Sequence, residues 1–249
     1  MHVTTEQRYD DGVLERGFTL GGIPGILWTS VGASRPAPLV LVGHPGGLDR
    51  MYRRVAGRAR HAVSEGFAAA TIELPWSGDR PRSAALEQAR ADLRRTLEAA
   101  EPVDDGLVDR LVLPLVDAAV PEWQATLDGV LALPEIGGPV GYSGGVIAVG
   151  VRLAAVEPRV AAALLFAGSY VPRASFEEAR QVTVPLQVLL QWDDEWNDRQ
   201  TALDLFDAFG SREKTLHANM GGHTGVPAFE ADAANRFFAR HLMPGPDVA

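Results

Sequence analysis

An α/β fold is predicted: a mainly parallel, twisted sheet with an N-terminal antiparallel hairpin, helices on both faces and a helical insertion near residues 82–118. Three observations carry this expectation. From Pro38 onward, short continuous apolar runs alternate with longer stretches of helical periodicity, the pattern of strands buried between two layers of helices. Ahead of them, the apolar-rich runs 13–20 and 23–28 flank Gly21-Gly22, a turn pair that tolerates positive φ and closes a hairpin. Several of the predicted strands empty into loops rich in glycine, acid or histidine, and in such sheets sites form outside the carboxyl ends of the strands.

The first buried strand is 38–42, which ends in Gly43-His44-Pro45-Gly46-Gly47; a helix over about 49–64 follows and is stopped by Gly66. Residues 67–74 form the next strand and lead into the loop 75–81. Between 82 and 118 no strand fits. Ser83 caps a helix whose Leu86, Ala89, Leu93 and Leu97 share one face, and Leu107, Val108, Leu111 and Leu115 mark a second segment that Pro114 and Pro121 are expected to interrupt. This insertion reads as a lid over the strand ends or as an extended crossover, and it is also a candidate dimer contact, leaving monomer and homodimer both open. A helix over 121–133 turns Trp123, Leu127, Val130 and Leu131 inward. The strand 139–142 is short and glycine-rich, with Pro139 acceptable only at its first position. An apolar helix at 146–156, a strand at 160–166, a loop with a short helix and a strand at 184–191 follow. Next come a helix at 202–209 for which Asp198 supplies a cap, a last strand at 214–218, a helix over about 227–242, and a tail after Met243 expected to fray. No linker or repeat divides the chain, so 1–249 is read as a single domain.

A net charge of −9 and dispersed basic residues weigh against nucleic acid as a partner. Only 50–60 concentrates arginines (Arg50, Arg53, Arg54, Arg58, Arg60); because Leu48, Met51, Val55 and Ala59 recur there at helical spacing, the arginines read as a solvated helix face. The absence of cysteine excludes disulfides, thiolate metal sites and a cysteine nucleophile. No 18-residue apolar run and no leader pattern is present, so no membrane association and a cytoplasmic location are expected. Neither metal-ligand spacing nor a phosphate-cradling glycine loop occurs; no metal and no cofactor are expected.

Gly141-Tyr142-Ser143-Gly144-Gly145 reads Gly-x-Ser-x-Gly, a sharp strand-to-helix turn whose glycines leave room for an exposed serine. The motif alone is short enough to arise by chance. Its weight comes from order: Ser143, the acids Asp193, Asp194 and Glu195, and His223 follow three successive predicted strand ends. Serine needs an imidazole to take its proton, and the imidazole needs a carboxylate to fix its tautomer and stabilise its cation. Trp76, Tyr142, Trp192 and Trp196 also fall in loops after strands, and some of them are predicted to line an apolar substrate pocket, with plain core or rim packing as the competing reading.

With these pieces the chain resembles the α/β-hydrolase superfamily, particularly small esterases similar to dienelactone hydrolases and prolyl-peptidase-like esterases. The resemblance spans 13–242 and rests on His44-Pro45-Gly46-Gly47, the Gly141 to Gly145 motif, Gln191-Trp192-Asp193-Asp194-Glu195 and Gly221-Gly222-His223. It implies a serine hydrolase of carboxylic esters, with Ser143 as nucleophile, His223 as base then acid, and an aspartate as orienting carboxylate. An oxyanion hole from backbone N–H groups of Gly144 and of Gly46 or Gly47 is implied too. Thioesterase, lactonase and amidase chemistry would use the same residues, and a non-catalytic ligand-binding relative is the rival of another class. Two departures stand out: Trp192 replaces the glycine usual before the acid, and Val146 replaces a second glycine after the motif. Strict counting from Trp192 gives Glu195 and one deletion gives Asp194, which is preferred. His44 is expected to be a hydrogen-bonding neighbour of the site rather than a catalytic group.

Overall fold

In the computed structural model, which describes residues 1–168 and 170–243, the strands are β1 (His2–Arg8), β2 (Val13–Leu20), β3 (Ile23–Ser30), β4 (Ala37–Gly43), β5 (Ala68–Ile72), β6 (Ile136–Gly144), β7 (Val160–Phe166), β8 (Leu186–Gln191) and β9 (Lys214–Asn219). They form one nine-stranded sheet in the order β1-β2-β3-β5-β4-β6-β7-β8-β9. β1, β2, β3 and β5 pair antiparallel in succession, and every later ladder is parallel. The chain runs outward from β4 to β5 and then crosses back to β6 on the other side of β4. Strand order therefore reverses between β4 and β6, where a crevice opens at the carboxyl edge of such sheets.

The helices are α1 (Leu48–Ser64), α2 (Ala84–Glu98), α3 (Asp105–Leu131), α4 (Ile147–Val156), α5 (Arg173–Ala179), α6 (Arg199–Ala208) and α7 (Phe229–Leu242). Strand residues alternate between two cores. Leu39, Leu41, Val140, Tyr142, Ala163 and Leu165 meet α3, α4 and α6, whereas Val40, Val42, Ala162 and Leu164 meet α1 and α7. The predicted side-chain caps of Ser83 on α2 and of Asp198 on α6 are present.

One strand was not anticipated and two expectations change. β1 has no apolar signature because all seven of its residues are exposed; it adds to the sheet edge through its backbone. Pro114 and Pro121 do not interrupt α3, which runs unbroken for 27 residues. Both prolines are exposed, so water can reach the carbonyls they leave unbonded, while Val116, Ala119, Val120, Trp123, Leu127 and Val130 bury the opposite face. Helical residues of 82–118 thus belong to α2 and to the front of α3, in the crossover from β5 to β6. Pro139 lies inside β6 rather than at its start; the ladder to β4 shifts register between Pro38 and Leu39, and that to β7 between Val140 and Gly141. An irregularity in a central strand accommodates a residue with no N–H to donate. The tail after Met243 lies outside the described residues.

Candidate active site

Ser143 sits near the end of central strand β6, opposite Val42 of β4 and Leu164 of β7. By alternation it shares a face with Gly141, where a Cβ would come within 2.6 Å of Phe238, so both residues look toward α1 and α7. The turn into α4 is made one residue later than a strained serine would require. Gly144 and Gly145 both have φ +77°, and among the described non-glycine residues only Trp76, Ala100 and Tyr170 have positive φ. The conformational freedom of glycine carries the turn and Ser143 remains extended.

The acid and histidine meet at the ends of β8 and β9. Asp194 Oδ2 lies 2.7 Å from His223 Nδ1, and its Oδ1 accepts from Trp196 N at 2.9 Å. Its carboxylate is buried, whereas Asp193 and Glu195 are exposed. A carboxylate can only accept, so Nδ1 is the protonated nitrogen of neutral His223 and Nε2 is left with a free lone pair, the tautomer of a general base. Glu195 has a lesser part: its Oε2 accepts from His223 N at 3.3 Å. Phe166 stands edge-on to the imidazole at 5.5 Å between centroids, and Trp196 lies tilted over it at 5.0 Å.

The hydroxyl of Ser143 is engaged from another side. Arg58 of α1 donates from Nη2 to Ser143 Oγ at 2.7 Å and to Ser143 O at 2.7 Å, and from Nη1 to Gly43 O at 3.1 Å. It therefore belongs to the site and not to a solvated face. Positions 51, 55, 58 and 62 recur at helical spacing, so the sequence did hold the signal: an arginine standing within the apolar stripe. Burial lowers the Arg58 guanidinium to about 10, a penalty of roughly 3 kcal/mol on the charged form.

Ser143, Gly144, His223, His44 and Arg58 border one cavity of about 460 Å³ between α1 and α7. His44 donates from Nε2 to Ile72 O at 2.8 Å, which leaves Nδ1 a buried acceptor without a partner among the described residues; burial holds its pKa below the usual value. Glu73, unremarked in the sequence, is buried and accepts from Leu48 N at 3.0 Å and from Ser77 Oγ, fixing the first turn of α1. Gly47 is the N-cap residue of α1; neither Gly46 nor Gly47 borders the cavity, although Gly43 and Pro45 do.

The predicted aromatic lining is a different matter. Tyr142 points to the opposite core, where Trp123 meets it edge-on at 6.0 Å, because strand alternation sends it away from Ser143. Trp76 and Trp192 do not border the cavity, and Trp192 stacks with Arg199 at the surface. Trp196, 61% exposed, stands beside His223 but does not border the cavity either. Helices α2 and α3 contribute no lining residue, and Val40, Val42, Val55, Leu164, Leu189 and Phe238 supply the apolar walls instead.

This sheet topology, hairpin and two-sided helical cover constitute the fold of the α/β-hydrolase superfamily. Among solved structures, the chain is similar to a cold-adapted esterase from an Arctic intertidal metagenomic library, at 28% identity over 97% of this chain and 100% of the other, with a TM-score of 0.77. An acetyl xylan esterase from Paenibacillus sp. R4 (16% identity, 97% and 88% covered, TM-score 0.65) and a dienelactone hydrolase from Anabaena variabilis ATCC 29413 (19%, 96% and 98%, 0.60) share the fold. No protein-family model and no curated protein sequence matches the chain. Among the described residues, no helix is long and apolar enough to cross a membrane.

Proposed function

We propose that the protein is a serine hydrolase that cleaves a carboxylic ester of a small molecule through an acyl-enzyme intermediate. The observation that carries this is the 2.7 Å contact of His223 with buried Asp194, on a cavity that Ser143 also borders. Similarity to proteins named as esterases supports the same chemistry. In this reading Ser143 Oγ turns from Arg58 toward His223 Nε2, loses its proton to it and attacks the carbonyl carbon. The oxyanion draws on the N–H of Gly144, next to the positive end of α4. His223 returns the proton to the departing alcohol and then activates water to release the acid.

Thioesters, lactones and amides would use the same groups. A ligand-binding protein without catalysis is the second reading, favoured by the engagement of Ser143 Oγ with Arg58 and by the extended backbone at Ser143. Two measurements separate them. The wild type should hydrolyse p-nitrophenyl esters and take up one fluorophosphonate per chain, and Ser143→Ala should lose about 10³-fold or more in turnover while staying folded. Unchanged turnover in Ser143→Ala would sink the assignment, and a folded wild type that neither turns over nor labels would favour the binder.

A further inference from the structure

Arg58 carries a positive charge into a mostly apolar cavity with no carboxylate to neutralise it. Among the described residues, no acid lies within ion-pair distance of its guanidinium, and its three hydrogen bonds all go to uncharged oxygens, those of Gly43 and Ser143. Glu230 is the acid that borders the cavity, and it is already engaged: Asn219 Nδ2 donates to Oε1 at 2.9 Å and His217 Nδ1 lies 2.9 Å from Oε2. Arg54, one turn earlier on the same helix face, adds positive charge rather than compensating it. A cation so placed is costly unless an anion joins it. A guanidinium has five N–H groups, so two remain for a ligand.

We propose that the cavity between α1 and α7 is a binding site for an apolar-tailed monocarboxylate. Its carboxylate pairs with Arg58 beside Ser143, and its tail lies along Val42, Val55, Leu164, Leu189 and Phe238. With Arg54 exposed at the rim, the Arg58 guanidinium matches one singly charged planar group, and the walls offer the tail no polar competitor over most of their length. Under the proposed hydrolysis, the acid released at Ser143 is such a carboxylate, which narrows the substrate class to esters of apolar acids. That narrowing rests on the hydrolase reading; the binding site does not.

Calorimetric titration of the wild type with butyrate, hexanoate, octanoate and decanoate, with octanol and octylamine as controls, tests the site. Octanoate should bind at least about tenfold tighter than octanol, as a charge-assisted hydrogen bond warrants, and octylamine should not bind. Each added CH2 should tighten binding about three- to fourfold until the cavity is filled. Arg58→Met should bring octanoate down to the affinity of octanol, and Arg58→Lys should keep part of the preference. If Arg58→Met does not fold, Ala234→Phe, which fills the cavity, should abolish octanoate binding instead. Octanoate binding no tighter than octanol, or affinity independent of chain length, would overturn the proposal and leave Arg58 a clamp for two strand ends. Ser143→Ala separates the two proposals and the source of the acid. It should still bind added octanoate, whereas loss of ester turnover in that variant bears on the hydrolase reading alone.

Discussion

On the α3/α4 side of the sheet, Trp123 stands edge-on to Tyr142 and both are buried, with Leu127, Val130, Leu153 and Leu165 closing the space around them. On the α1/α7 side, alanines at 62, 231 and 234 face the same cleft as Val42 and Phe238, and a cavity of about 460 Å³ remains. Large side chains interdigitating across one face fix the strands; small ones across the other leave room for a ligand. The polar groups follow the space. Ser143, His223, His44 and Arg58 all border the hollow side, where a ligand or water can reach them.

If the hollow side holds the chemistry and the filled side the stability, substitutions should divide accordingly. The largest effect belongs to the acid: Asp194→Asn should lower kcat for a p-nitrophenyl ester by about 10⁴-fold, since the imidazole loses its tautomer control, while Asp193→Asn stays within about twofold. Equal losses in both would mean that the exposed cluster acts collectively and that the 2.7 Å contact of Asp194 is not special. On the filled side, Trp123→Ala should cost about 3–5 kcal/mol in urea unfolding and leave kcat per folded molecule unchanged. Smaller is the contrast between two added groups. At Gly150 a Cβ would fall 2.6 Å from Leu165 and 2.7 Å from Tyr142, so Gly150→Ala should destabilise by about 1–3 kcal/mol. Ala234→Leu, directed into the cavity, should be neutral or stabilise by up to about 1 kcal/mol; a cost equal to that of Gly150→Ala would show the cleft to be no emptier than the core. Smallest is a pH effect. Burial keeps His44 neutral in the fold, so the unfolded chain takes up that proton first as pH falls. Stability should be complete above about pH 6.5 and decline below it, and the urea midpoint of His44→Gln should vary less between pH 8 and 5.5.

The parallel sheet and the order of its elements were legible in the sequence because strand and helix periodicities are local. A run such as Leu39-Val40-Leu41-Val42 can satisfy both its faces only between two layers of helices. The glycines around Ser143 and His223 were legible for a similar reason, since tight turns at strand ends demand them whatever surrounds the turn. Among the three acids, the strand and loop pattern stopped short. Which of them reached His223 depended on which carboxylate the 192–197 turn folded inward, and the buried one was Asp194.

Arg58 and Tyr142 show where local pattern failed. Both looked plausible in the opposite role, the arginine as a solvated residue and the tyrosine as pocket lining. For Arg58 the signal was its place within the apolar stripe of α1, outweighed by its charge; for Tyr142 the direction came from the register of β6 against the rest of the sheet, which no neighbour in sequence records. The continuous α3 was missed because burial of its inner face, contributed by distant strands, outweighed two prolines on the outer one. By itself, then, the sequence determined the α/β class, the strand-end positions of Ser143, Asp194 and His223, and the absence of cysteine chemistry, all of them consequences of residue type and short-range periodicity. Only the tertiary structure decided which face is hollow and which cation enters it, because a cavity is the volume that residues far apart in the chain fail to fill.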